Sequence, residues 1–143
     1  MADNSGESRI ADCMRRLVRG QQPEESGGSV FNINVDILQE LIDRALESDR
    51  NKQEIFDRDA LKPITAALDA RYGDDMNCLA ADVIGLLAEG SNHQARCCAS
   101  YRHEGISVME TLTQRSQSIN MRVRTSARAA LYSIIHTTQP QVS

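Results

Sequence analysis

Apolar residues recur along this chain at steps of three and four, and almost nowhere at steps of two. Ile10, Cys13, Met14, Leu17 and Val18 make one stripe and predict a short helix from Ser8, ended by Gly20. Ile37, Leu38, Leu41, Ile42, Ala45 and Leu46 make a wider stripe and predict a helix over 35–48. Asn34 or Asp36 is its expected cap, with Asp43, Arg44 and Glu47 on the outer side. Between the two, Pro23 and the Gly27-Gly28 pair mark residues 20–34 as a linker, tacked to the core by Val30 and Phe31. Further helices are predicted over 51–57, 59–72, 75–89, 94–101, 106–117 and 120–136. Asp59 is the expected cap of the second of these, Pro63 is tolerated in its first turn, and Gly73 ends it. Gly90 closes the third, and Gly105 breaks the chain before the 106–117 helix. No segment alternates long enough to predict a strand, so the expected class is all-α. The expected organisation is a disordered tail over 1–6, an N-terminal helix and Gly/Pro linker over 7–33, a helical domain over 34–137 and a polar tail over 138–143.

Residues 77–94, "NCLAADVIGLLAEGSNHQ", set Ala80, Ala81 and Gly85 among Leu79, Val83, Ile84, Leu86 and Leu87. Small residues let a second helix approach to the short end of the usual range, about 8 Å between axes. The segment also has an echo. "AADVIGLL" (80–87) aligns with "ARAALYSI" (127–134), pairing Ala80 with Ala127, Val83 with Ala130, Ile84 with Leu131 and Leu87 with Ile134 at an offset of 47. "ALKPITAAL" (60–68) aligns with "GISVMETL" (105–112) near an offset of 44, pairing Leu61 with Ile106, Ile64 with Met109 and Leu68 with Leu112. Upstream of each lies a polar start and a short amphipathic helix, "NKQEIFD" and "NHQARCCASY". The unit therefore reads as short helix, helix, long helix, with a period in the forties.

That order resembles the armadillo repeat, with the HEAT repeat as the nearest rival, over about residues 51–136. Asn51, Ile55, Ala60, Leu61, Pro63 and Leu68 match the family's turn from first to second helix, and "AADVIGLLAEGSNHQ" is similar to its third helix and exit. Two departures stand out: the family usually has Gly where Asp59 stands, and "CCASYRHEG" adds length to the second unit. The resemblance implies a right-handed helical solenoid of two to three armadillo-like repeats, with the N-terminal helices as a cap. It implies a non-enzymatic protein-binding scaffold or adaptor, of the kind that regulates small GTPases or serves as a co-chaperone. It assigns the concave strip to Cys78, Asp82, Leu86 and Glu89 in one unit and to Thr125, Ala129 and Ser133 in the next. Nuclear-import adaptors of the family carry Trp and Asn at the positions of Asp82/Ala129 and Leu86/Ser133, and this chain has no Trp at all. Tyr132 and Ile135 either complete the core of the last helix pair or form an uncovered face suited to self-association.

Charge opens one alternative. The net charge is −4, but residues 34–91 carry 13 acidic and 6 basic groups while residues 92–143 carry 6 arginines and 2 acids. Arg122, Arg124 and Arg128 are candidate contacts for a nucleic acid; facing the acidic middle of the same chain is the plainer use for them. The negative total and the 3% aromatic content, which leaves few stacking platforms, weigh against nucleic acid. His93, Cys97, Cys98 and His103 invite a zinc reading but lack a second ligand cluster at standard spacing, and Cys97 and Cys98 are expected as small core residues. A Cys–His nucleophile at the same place is weaker still, and "GDD" (73–75) reads as one helix ending and another starting. No phosphate-binding loop is present, so no cofactor is expected. With no CxxC pair, no signal-peptide pattern and no membrane-spanning run, the expectation is a cytoplasmic protein with free thiols.

Overall fold

The computed structural model describes residues 10–15, 35–103 and 105–138. Residues 10–15 are helical (α1) and are followed by α2 (Val35–Glu47), α3 (Asp49–Asp57), α4 (Leu61–Ala66), a 3-10 turn (Ala70–Tyr72) and α5 (Asp74–Gly90). Then come α6 (Asn92–Ser100), a hairpin of β1 (Arg102–His103) and β2 (Ile106–Ser107), α7 (Val108–Arg115) and α8 (Met121–Thr138). The all-α class holds, with that hairpin as a departure: Gly105, at φ 80, makes the reversal that pairs Arg102 with Ser107. The expected Leu17 and Val18, Gly20, Pro23, the Gly27-Gly28 pair and Phe31 lie outside the described residues, as does the 1–6 tail.

Helix α5 is the centre. It packs most extensively on α8 and next on α2, which share little contact with each other, so α5 lies between them. Polar pairs between α5 and α8 keep a nearly constant offset, from Asp74 with Asn120 to Glu89 with Ser133, so the two helices run parallel and in step. Ala80, Ala81, Ala88, Ala127 and Ala130 are all at most 1% exposed. The close approach falls at Gly85, where a Cβ would stand 3.3 Å from Ala130 Cα. The aliphatic core around these contacts is built from Val83, Ile84, Leu87, Leu112 and Ile134, all fully buried. At the N-terminal end, Ile10, Cys13 and Met14 join the same core, as their spacing predicts.

The junctions after α2 and α5 are built alike. Ser48 and Ser91 are extended residues whose hydroxyls accept the backbone N–H of Asn51 and Gln94. Asn51 then donates its amide back to the Arg44 carbonyl at 2.9 Å, and Gln94 to the Leu87 carbonyl at 2.7 Å, each seven residues upstream. The long helix thus has one of its last carbonyls satisfied by the helix that follows it. A side chain at Gly90 would run into the Gln94 amide. This junction repeats at an offset of 43, so Ser48 corresponds to Ser91 and Asn51 to Gln94.

Several boundaries differ from the pattern, each for a local reason. The expected 59–72 helix is divided. Asp59 does not cap it; it sits at φ 64, the left-handed region where a side chain is disfavoured, and α4 begins after it without a side-chain cap. Buried Asn77 donates to the Ala67 and Asp69 carbonyls at 2.8 and 2.9 Å, which holds the chain out of helix before the 3-10 turn. Gly73, at φ 92, ends that turn and starts α5. The hairpin delays α7, leaving Ile106 49% exposed and Met109 half-buried, while Val108 fills the core beside Leu112. At the far end Tyr132 and Ile135 are 66% and 47% exposed and do not complete the core. α8 also runs to Thr138, past the expected end.

Candidate functional groove

Parallel helices brought close by small residues leave a furrow above the contact line. Between α5 and α8 that furrow encloses about 250 Å³. Its floor is Ala81, Gly85 and Ala130, with Ile42 of α2 at one edge. Asp82, Leu86 and Glu89 form the α5 rim; Ser126, Ala129 and Ser133 form the α8 rim.

Five of the seven residues expected on the concave strip therefore meet here. The other two do not. Cys78 is buried, with its Sγ 3.0 Å from Ser126 Oγ and 3.8 Å from the Arg122 carbonyl, and it supports the rim from below. Thr125 is exposed but does not line the furrow. Pattern reading missed Ser126, one turn before Ala130; nothing in its local sequence separates it from any other helical serine.

One carboxylate is held by a hydroxyl from the opposite helix: Ser133 donates to Glu89 at 2.7 Å. Ser126, beside Asp82 in the furrow, has its hydroxyl 3.0 Å from Cys78 Sγ. Asp82 is half-buried, and burial pushes its carboxyl above the usual aspartate value; the nearby Ser126 hydroxyl and the Arg122 charge pull the other way without cancelling it. No basic side chain lines the furrow among the described residues.

The expected basic contacts are largely engaged by the chain itself. Arg122 reaches Asp75 at 3.3 Å, both well exposed, and Arg124 donates to the Ser118 carbonyl at 3.0 Å. Arg128 is exposed. The histidine–cysteine segment is divided between surface and core. Cys97 lies 3.6 Å from His93 Nε2, one turn apart on α6, and is half-buried. Cys98 is fully buried, its thiol pushed up to about 12 by burial and by its neighbour Cys97. Among the described residues no three His, Cys, Asp or Glu side chains converge as metal ligands. No helix among them is long and apolar enough to cross a membrane. Set against known proteins, the chain matches no family model, no curated protein and no solved structure.

Proposed function

We propose that this chain is a short right-handed helical-repeat scaffold of the armadillo or HEAT kind, whose role is non-enzymatic: it holds a segment of another protein in the furrow between α5 and α8. The observation that carries this reading is the furrow's construction. Its floor of Ala81, Gly85 and Ala130 admits a backbone at close range, and its rim offers Glu89 already oriented by Ser133. Pre-oriented groups reduce what a partner must order on binding. The Ser-capped junction repeated at Ser48 and Ser91 supports two stacked units, with α2 as the last helix of an earlier one and α1 as a cap. Small-GTPase regulation and co-chaperone activity are the roles the resemblance carries, and the furrow favours neither. The nucleic-acid alternative draws less support, because Arg122 and Arg124 contact their own chain and the furrow itself is acidic.

Selection of peptides from a displayed random library tests the reading. The expected binders lose affinity for Asp82→Arg and Leu86→Glu variants whose helical circular dichroism is unchanged. A library that yields no binder, or only binders indifferent to both substitutions, overturns it.

A further inference from the structure

Asp82 and Glu89 stand on the same rim, seven residues apart on α5. At about 1.5 Å per residue their backbone positions are separated by about 10.5 Å along the axis. Glu89 is fixed by the Ser133 hydroxyl of α8, Asp82 lies beside Ser126 of the same helix, and a carboxylate has acceptor capacity left after one hydrogen bond. Only Leu86 lies between them on that rim, over a floor of alanine and glycine. The furrow is thus a small apolar trough bounded by two anionic points and by no cation of its own. Arg122 touches this field only at the Asp82 end, from a position where it pairs with Asp75.

We propose that the furrow takes an extended, polyproline-like segment of another protein with basic residues at positions i and i+3, one for Asp82 and one for Glu89. An α-helix advances only about 4.5 Å over three residues, well short of the spacing between the two carboxylates. A β-strand would turn residues i and i+3 to opposite faces. A polyproline-like chain returns to the same face every third residue and advances about 9.3 Å in doing so. The remaining distance is within the reach of flexible Arg or Lys side chains. Residues i+1 and i+2 meet Leu86 and the alanine floor, so small or aliphatic side chains fit there. Charge complementarity at two fixed points sets the spacing, and the desolvation already imposed on Asp82 favours a cation beside it.

This inference rests on the scaffold reading above, and the experiment separates the two. The probes are acetylated, amidated peptides of the form Gly-Pro-Arg-Ala-Pro-Arg-Pro-Gly, a version with the arginines adjacent, and a version with Glu for Arg. Binding to the isotope-labelled full chain is followed by amide chemical shifts. The expected result is binding of the i, i+3 peptide with shifts over 82–89 and 126–133. Affinity should be at least tenfold above the other two peptides and fall at least tenfold in the Asp82→Asn/Glu89→Gln variant, which keeps the rim's shape. Asp43→Asn, outside the furrow, should change nothing. Equal binding to the double variant, equal binding of the acidic peptide, or shifts elsewhere overturn the inference. So does displacement by the chain's own 16–34 segment, seen as furrow-dependent shifts there without peptide. If the display selection yields furrow-dependent binders that are acidic or neutral, the basic-segment inference fails and the scaffold reading stands; if nothing depends on the furrow, both fail.

Discussion

Gly85 faces Ala130 across the close contact between α5 and α8, and two effects of similar size oppose each other there. Gly85→Ala would gain about 0.5–1 kcal/mol of helix propensity. Its Cβ would also stand 3.3 Å from Ala130 Cα, a backbone atom that yields only if α8 shifts by a few tenths of an ångström. The expected net change is within about 1 kcal/mol of zero, whereas Gly85→Leu should lose roughly 2–3 kcal/mol through overpacking, read by urea denaturation. Asp82 gives a second prediction at this scale. Its carboxyl titrates higher in the folded chain than in the unfolded one, so the folded state holds more protons between those two values and stability falls as pH rises through them. The penalty is fully present above the folded value. Asp82→Asn should therefore raise Tm at neutral pH, with the gain vanishing below the ordinary aspartate range; a gain that persists in acid would refute the desolvation account. Asp59, held at φ 64 on the surface, should tolerate glycine with up to about 1 kcal/mol of added stability.

Between elements, amide side chains do the joining. Asn77 is 2% exposed and satisfies two carbonyls, those of Ala67 and Asp69. Asn77→Ala leaves both without that donor and should cost roughly 2–6 kcal/mol, at about 1–3 kcal/mol per orphaned group. The Ser48–Asn51 and Ser91–Gln94 junctions share one geometry but not one environment, since Gln94 is 1% exposed and Asn51 is half-buried. Gln94→Ala should therefore destabilise more than Asn51→Ala, while Ser48→Ala and Ser91→Ala should each cost about 1 kcal/mol, the usual value of a lost N-cap. Equal losses for Asn51 and Gln94 in thermal denaturation would mean that burial does not control the strength of this joint.

For the whole molecule, α5 is the element that every layer uses. It touches α2, α3, α4, α6 and α8, so its small residues set how closely these helices gather around it. A chain organised around one shared helix should unfold in a single cooperative transition, with near-ultraviolet and far-ultraviolet signals coinciding. Two separated transitions would instead indicate layers that melt independently. The exposed face of α8 contributes little to that cooperativity. Tyr132→Ser and Ile135→Ser should each change stability by no more than about 0.5 kcal/mol, as expected of exposed sites.

The sequence by itself determined the helical class, most of the core and the existence of a close contact between long helices. Those features are local: a 3.6-residue periodicity and a run of small residues can be read without knowing what lies opposite. Most of the furrow's rim was named only through the resemblance to the armadillo repeat, which set the register of the helix face. Tertiary structure alone decided what depends on partners distant in the chain. Asn77 interrupts the 59–72 helix by taking its carbonyls from ten and eight residues away. Cys78 is turned inward by Ser126, 48 residues on, and Arg122 is drawn to Asp75, 47 residues back. The pairing of Glu89 with the Ser133 hydroxyl on α8 has the same origin, since a side chain's hydrogen-bond partner is set by packing and not by its sequence neighbours.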